Sequence, residues 1–163
     1  MSKNSTTQQG VETPQPQLIT KPAFTVVGLR LSTKPKSAEI PALWNTFGPR
    51  IDEVPYPVEP QVSYGLMGNF SEKAMDYMAG ISVTDATDLP KDMTRWDVPE
   101  NTYAVFETTL STIPRTFDYI FARWLPGSGY QQKDDVYFER YGETFSPDAN
   151  PVLSIYIPVA KQA

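Results

Sequence analysis

The chain has 163 residues, 40% of them apolar, including eight Phe, nine Tyr and three Trp; that is one domain or two small fused modules with enough apolar mass for a packed core. Its net charge of −5 argues against nucleic acid as the main partner, because neutralising phosphates needs clustered Lys and Arg and the longest basic grouping is Lys34-Pro35-Lys36. Cys and His are both absent, which excludes disulfides, thiolate nucleophiles, Cys or His metal sites and Ser-His-Asp triads, so any catalysis runs on Asp, Glu, Tyr, Lys, Ser or Thr and no cofactor is expected.

Residues 1–21 are rich in Ser, Thr, Gln and Pro and are expected to form a disordered or loosely held tail, since they bury too little to offset their ordering entropy. No signal-peptide pattern follows Met1. No apolar run reaches the roughly 20 residues of a membrane span. The expected setting is the cytoplasm, without membrane contact.

The domain proper is expected over 22–163. "FTVVGLRLST" (24–33) reads as a strand with Val27, Leu29 and Leu31 on one face. "SAEIPALWNTFGPRIDEV" (37–54) reads as a helix capped by Ser37 and stopped or kinked at Gly48-Pro49. Its Ile40, Leu43, Trp44 and Phe47 form an i, i+3, i+4, i+7 stripe. "VSYGLMGNF" (62–70) and "DYMAGISVT" (76–84) read as two strands. The linker 85–101 carries Met93 and Trp96 in an otherwise polar run, so it is expected either to fold back over the ligand site or to cap the sheet edge. "TYAVFETTL" (102–110) is a strand, and "TIPRTFDYIFARWL" (112–125) a helix with the stripe Phe117, Ile120, Phe121, Trp124. "VYFERYGETF" (136–145) and "PVLSIYIPVA" (151–160) are two further strands.

Strand–helix–strand–strand thus occurs twice, over 24–84 and 102–160. Leu43, Trp44 and Phe47 match Ile120, Phe121 and Trp124 at an offset of 77; Val62 and Gly68 match Val136 and Gly142 at 74; Ile81 and Val83 match Ile157 and Val159 at 76. A near-constant offset with a shared element order indicates duplication. The expected fold is α+β: tandem modules forming an antiparallel sheet, two main helices packed on it, and a central ligand cleft between the halves.

The run from "LPKDMTRWDVPENTYAVF" (89–106) through "YIFARWLP.SGY" and "FERY" to "IYIPV" (155–159) resembles the GyrI-like family, the effector-binding domains found fused to AraC-type and MerR-type regulators and also free-standing. The resemblance extends over about residues 24–160. It implies binding of bulky, often aromatic and cationic, small molecules. By the same resemblance the "FERY" glutamate is Glu139, the late strand tyrosine is Tyr156, the helix aromatic is Trp124, and Tyr64 occupies a position that often lines the pocket. Some free-standing members protect DNA gyrase from toxins, and some resemble hydrolases of strained compounds. No helix-turn-helix is seen, so direct DNA reading is not expected.

Read on its own residues, a regular strand over 136–141 places Glu139 on one face with Tyr137 and Tyr141, away from Arg140. A carboxylate among rings and without a counter-ion either takes up a proton or accepts a cation, and aromatic faces attract cations. The alternative is a solvated strand glutamate. Leu153, Ile155, Ile157 and Val159 read as the core face of the last strand, which would send Tyr156 into the cleft. Phe106 is chosen over Val105 as inward-facing, and Met67 as an adaptable wall. Trp44 and Trp124 read equally as core or pocket. Glu107 could pair with Glu139 for acid–base work only if both shared a face.

The favoured expectation is a small-molecule binding protein with a site made of Glu139, Tyr64, Tyr141, Tyr156, Trp124, Met67, Phe106, Trp44 and Trp96. A hydrolase using Glu139 is the first alternative, and an inhibitor of a protein partner such as DNA gyrase the second. A homodimer is left open.

Overall fold

The computed structural model describes residues 15–133, 136–142 and 151–162. Residues 1–14 of the expected tail and 143–145 of the expected second strand of module two lie outside the described residues. Nine strands form the sheet: β1 (Gln17–Lys21), β2 (Phe24–Thr33), β3 (Ser63–Gly68), β4 (Met75–Val83), β5 (Thr94–Val98), β6 (Asn101–Thr109), β7 (Tyr130–Gln132), β8 (Tyr137–Tyr141) and β9 (Val152–Lys161). Their order is β1-β6-β9-β8-β3-β4-β2-β5, with β7 added on β9, and every pairing is antiparallel. The α+β architecture of tandem modules with helices on the sheet is therefore present.

The order is symmetric about the β8–β3 join. Module two contributes β6-β9-β8 and module one β3-β4-β2, and each half is closed by a short edge strand. Those edge strands are exchanged. β1 precedes module one but pairs with β6; β5 precedes module two but pairs with β2. Gln17–Lys21 and Thr94–Val98 are five-residue strands 77 positions apart, so the repeat unit is longer than strand–helix–strand–strand at its start.

This corrects the expectation of a disordered tail at its C-terminal end. Gln17–Lys21 needs little burial to be ordered because backbone ladder bonds to β6 hold it, with Ile19 packed against the core and Thr20 Oγ1 2.8 Å from Thr102 Oγ1.

The first helix, α1 (Glu39–Phe47), starts two residues after Ser37, whose Oγ accepts the Glu39 N–H at 3.0 Å. Beyond Gly48 the chain tightens into a 3-10 segment, Gly48–Glu53, as Pro49 demands. The second helix, α2 (Ile113–Tyr119), widens into a π turn over Ile120–Trp124 and ends in a short turn, Leu125–Gly127. The Leu125 N–H reaches back to the Ile120 carbonyl, and Pro126, lacking an N–H, cannot continue a regular ladder.

Both helices cover the same face of the sheet. α1 packs with Val27, Leu29, Ala79 and Ile81 of module one, and α2 with Ala104, Phe106, Ile155 and Ile157 of module two. The opposite face is buried as well. Tyr64, Leu66, Met78, Tyr103 and Phe138 form a cluster there, joined by Ile19 of β1 and by Trp96 and Val98 of β5. Strands from the two ends of the sheet meet in one cluster, so the sheet curls toward that face.

Candidate functional site

The helices stand apart over the β8–β3 join and leave a cleft of about 810 Å³. Ile40 and Trp44 of α1, with Ile51 beyond it, form one wall. Ile113, Phe117 and Phe121 of α2 and its π turn form the other. Met67, Met75, Tyr77, Tyr137, Glu139 and Tyr141 form the floor. Strand alternation dictates the floor: Glu139 pairs with Gly65 and Tyr137 with Met67, while Tyr77 on β4 also faces Met67.

Glu139 is 7% exposed. Its Oε1 accepts two phenol O–H groups, from Tyr141 at 2.7 Å and from Tyr77 at 3.0 Å. Tyr77 Oη in turn accepts the indole N–H of Trp44 at 2.8 Å. An indole nitrogen can only donate, so the Tyr77 proton is directed at Glu139. Trp44 also meets the Tyr141 ring edge-on at 5.1 Å between centroids. Among the described residues no Lys or Arg forms a salt bridge with Glu139. Burial pushes its carboxyl above the ordinary 4.5, and the bonds from Tyr141 and Tyr77 oppose that only in part. Burial first, and then the Glu139 charge, pushes Tyr77 and Tyr141 well above the usual phenol range. Both hydroxyls therefore stay protonated donors.

Tyr137 is the second aromatic element of the floor. Its ring stacks on Phe70 at 4.9 Å and lies 5.9 Å from both Phe117 and Phe121. Burial raises its hydroxyl to about 12. The cleft thus offers rings on three sides and one carboxylate at its base.

Of the residues expected at the site, the structure brings together Glu139, Tyr141, Met67 and Trp44 around this cleft. It places the others elsewhere. Tyr64 is fully buried on the opposite face, its ring 5.5 Å from Phe138 and its hydroxyl donating to Glu59. Tyr156 lies on that face too, stacked on Phe138 at 4.6 Å. The expectation for Tyr156 took the core and cleft faces of β9 to be opposite; they are one face, because Ile155 pairs with Glu139 and Tyr156 with Phe138. Trp96 belongs to the same far cluster as an edge-strand residue, with Arg30 3.9 Å above its ring. Phe106 is on the helix face, but it and Trp124 pack together at 5.2 Å beneath α2, outside the cleft lining. Glu107 pairs with Ser154 and shares the face of Tyr156, so it does not approach Glu139 as an acid–base partner.

Sequence reasoning missed Tyr77, Phe117 and Phe121 as lining residues. Phe117 and Phe121 sit in the helix stripe that reads as core. Tyr77 is separated from Glu139 by a whole strand, and only the register reveals the contact.

Comparison with known proteins agrees with this architecture. Residues 14–160 match the model of the GyrI-like small molecule binding domain. The chain belongs to the GyrI-like family. This GyrI-like chain is 33% identical over 147 residues to the transcriptional regulator BrlR of Pseudomonas aeruginosa, a match covering 88% of the chain and 54% of the regulator. It therefore spans about half the length of that relative. Its fold is shared with SAV2435 solved with bound tetraphenylphosphonium, at TM-score 0.72 and 19% identity, covering 90% of this chain and 94% of that one. The C-terminal domain of EcmrR has the same fold, at TM-score 0.68 and 18% identity over 91% and 98% of the two chains. The chain is thus a GyrI-like small-molecule binding domain related to part of a transcriptional regulator. Among the described residues no helix is long and apolar enough to cross a membrane.

Proposed function

We propose that the cleft captures bulky aromatic cations, with Glu139 as the charge partner and the surrounding rings as walls. The observation that carries this reading is a nearly buried carboxylate at the base of an aromatic cleft, held by two phenols and, among the described residues, in no salt bridge, with Lys36 at the cleft mouth paired to Asp118 instead. An uncompensated buried charge is costly, and a ligand that brings a positive charge removes that cost as it binds. A delocalised organic cation suits the site better than a small hydrated ion, because it gives up little hydration and its rings gain contact with Trp44, Phe117, Phe121 and Tyr137. Each cation–ring contact adds about 0.5–2 kcal/mol. Tetraphenylphosphonium in the fold relative SAV2435 is a ligand of this chemistry, and the cleft volume is within the usual range for small-molecule sites.

The test is a tryptophan-fluorescence or calorimetric titration with tetraphenylphosphonium and with triphenylphosphine oxide, a neutral aromatic of related shape. Saturable one-to-one binding that favours the cation is expected. Equal affinity for both, or no saturable binding of the cation, overturns the reading.

A further inference from the structure

Gly65 lies directly across from Glu139 in the β3–β8 register. The offset of 74 that carries Val62 onto Val136 and Gly68 onto Gly142 also carries Gly65 onto Glu139. The two residues are counterparts in the duplicated modules, and they meet at the pseudo-two-fold join. One module places a carboxylate there and the other places no side chain.

That missing side chain is occupied space. A Cβ on Gly65 would stand 2.2 Å from Tyr77 Oη and 2.8 Å from Glu139 Oε1, closer than carbon and oxygen can approach. Tyr77 belongs to β4, and β3 separates it from β8. Its hydroxyl reaches Glu139 by crossing β3 at the one residue of Ser63–Met67 without a side chain. The Trp44 N–H then fixes which way the hydroxyl proton points. With Tyr77 and Tyr141 both on Oε1, Oε2 is left as the oxygen available to a ligand.

We infer that Gly65 is a specificity-determining residue of the cleft: its bare Cα lets Tyr77 hold Glu139 Oε1, and that hold sets the preference for cationic over neutral aromatic ligands. The inference rests on the reading of the cleft as a cation receptor. Gly65 acts through Tyr77 and is a positioning residue. It lies in a regular strand and is not among the residues with positive φ, so alanine fits its backbone, and the nearest conflicts are with the side chains of Tyr77 and Glu139, which must shift.

The experiment titrates the wild type, Gly65→Ala and Tyr77→Phe with tetraphenylphosphonium and triphenylphosphine oxide and compares the ratio of the two Kd values. Gly65→Ala is expected to reduce the cation preference, read as the ratio of the two Kd values, at least tenfold (about 1.4 kcal/mol). Tyr77→Phe, which removes the hydroxyl without adding bulk, moves the ratio the same way and decides the matter alone if Gly65→Ala does not fold. A wild-type preference for the cation that both variants retain overturns this inference and leaves the cation receptor standing. A wild type without that preference overturns the receptor reading and this inference with it.

Discussion

Two glutamates flank the centre of the sheet, one on each face, and the protein treats them oppositely. Glu59, on the far face, receives Arg140 at 2.8 Å and the Tyr64 hydroxyl at 2.9 Å, with Lys21 nearby over the Phe24 ring. Burial pushes its carboxyl up, but the bonds and charges from Arg140, Tyr64 and Lys21 outweigh burial and hold it below the ordinary value. Glu139, on the helix face, is far more buried and has only two neutral phenols. Neighbouring residues of β8 thus carry the acid without a cation and the cation that serves the other acid. An external charge therefore belongs in the cleft: the far-face glutamate has its cation within the chain, and the cleft glutamate does not.

The far face is the more tightly packed of the two. Phe138 is fully buried between the rings of Phe24, Tyr64, Tyr103 and Tyr156. Phe138→Ala is expected to cost about 3–5 kcal/mol of stability, read by urea denaturation.

The two glutamates link stability to pH in opposite directions. Glu139 has a raised carboxyl pKa in the folded state, so its contribution to stability is fully present below the ordinary 4.5 and is lost as pH rises through the raised value. Glu59 is depressed, so its contribution is present above 4.5 and is lost as pH falls through the lowered value. A cation competes with the Glu139 proton. Its affinity should therefore rise with pH, by up to about tenfold per pH unit, and level off once Glu139 is ionised. Calorimetric titrations across the acidic range check this; a flat profile contradicts it.

Arg140→Gln removes the cation of the far face and leaves Glu59 part-buried beside Tyr64. A loss of about 1 kcal/mol in stability is expected, between the values for exposed and buried pairs, with cation affinity unchanged in the same titration. The smallest effect belongs to Lys36, which reaches Asp118 of α2 at 3.5 Å across the cleft mouth with both side chains well exposed. Lys36→Ala should change stability by no more than about 0.5 kcal/mol, by thermal melting.

Much of the fold was legible because duplication leaves a regular trace. The matched helix stripes and the 74–77 offsets locate both modules, and alternation along "YFERY" places Tyr137, Glu139 and Tyr141 on one face, as β8 has them. Hydrophobic pattern could not say which face holds the cleft, because both faces are buried. In such a sheet Tyr64 and Tyr156 look as suited to a pocket as Tyr77 and Tyr137 do, and only the register separates them. The exchange of β1 and β5 was hidden for a different reason. The burial of Gln17–Lys21 is slight, so β1 carries little side-chain signal, while β5 buries only Trp96 and Val98 in a five-residue run whose partner strand the alternation does not reveal.

The most direct test of the uncompensated carboxylate is calorimetric titration of wild type and Glu139→Gln with tetraphenylphosphonium, beside Glu59→Gln as the opposite-face control. At least a tenfold loss of affinity (about 1.4 kcal/mol) is expected in Glu139→Gln and none in Glu59→Gln. Equal affinity in wild type and Glu139→Gln would contradict it.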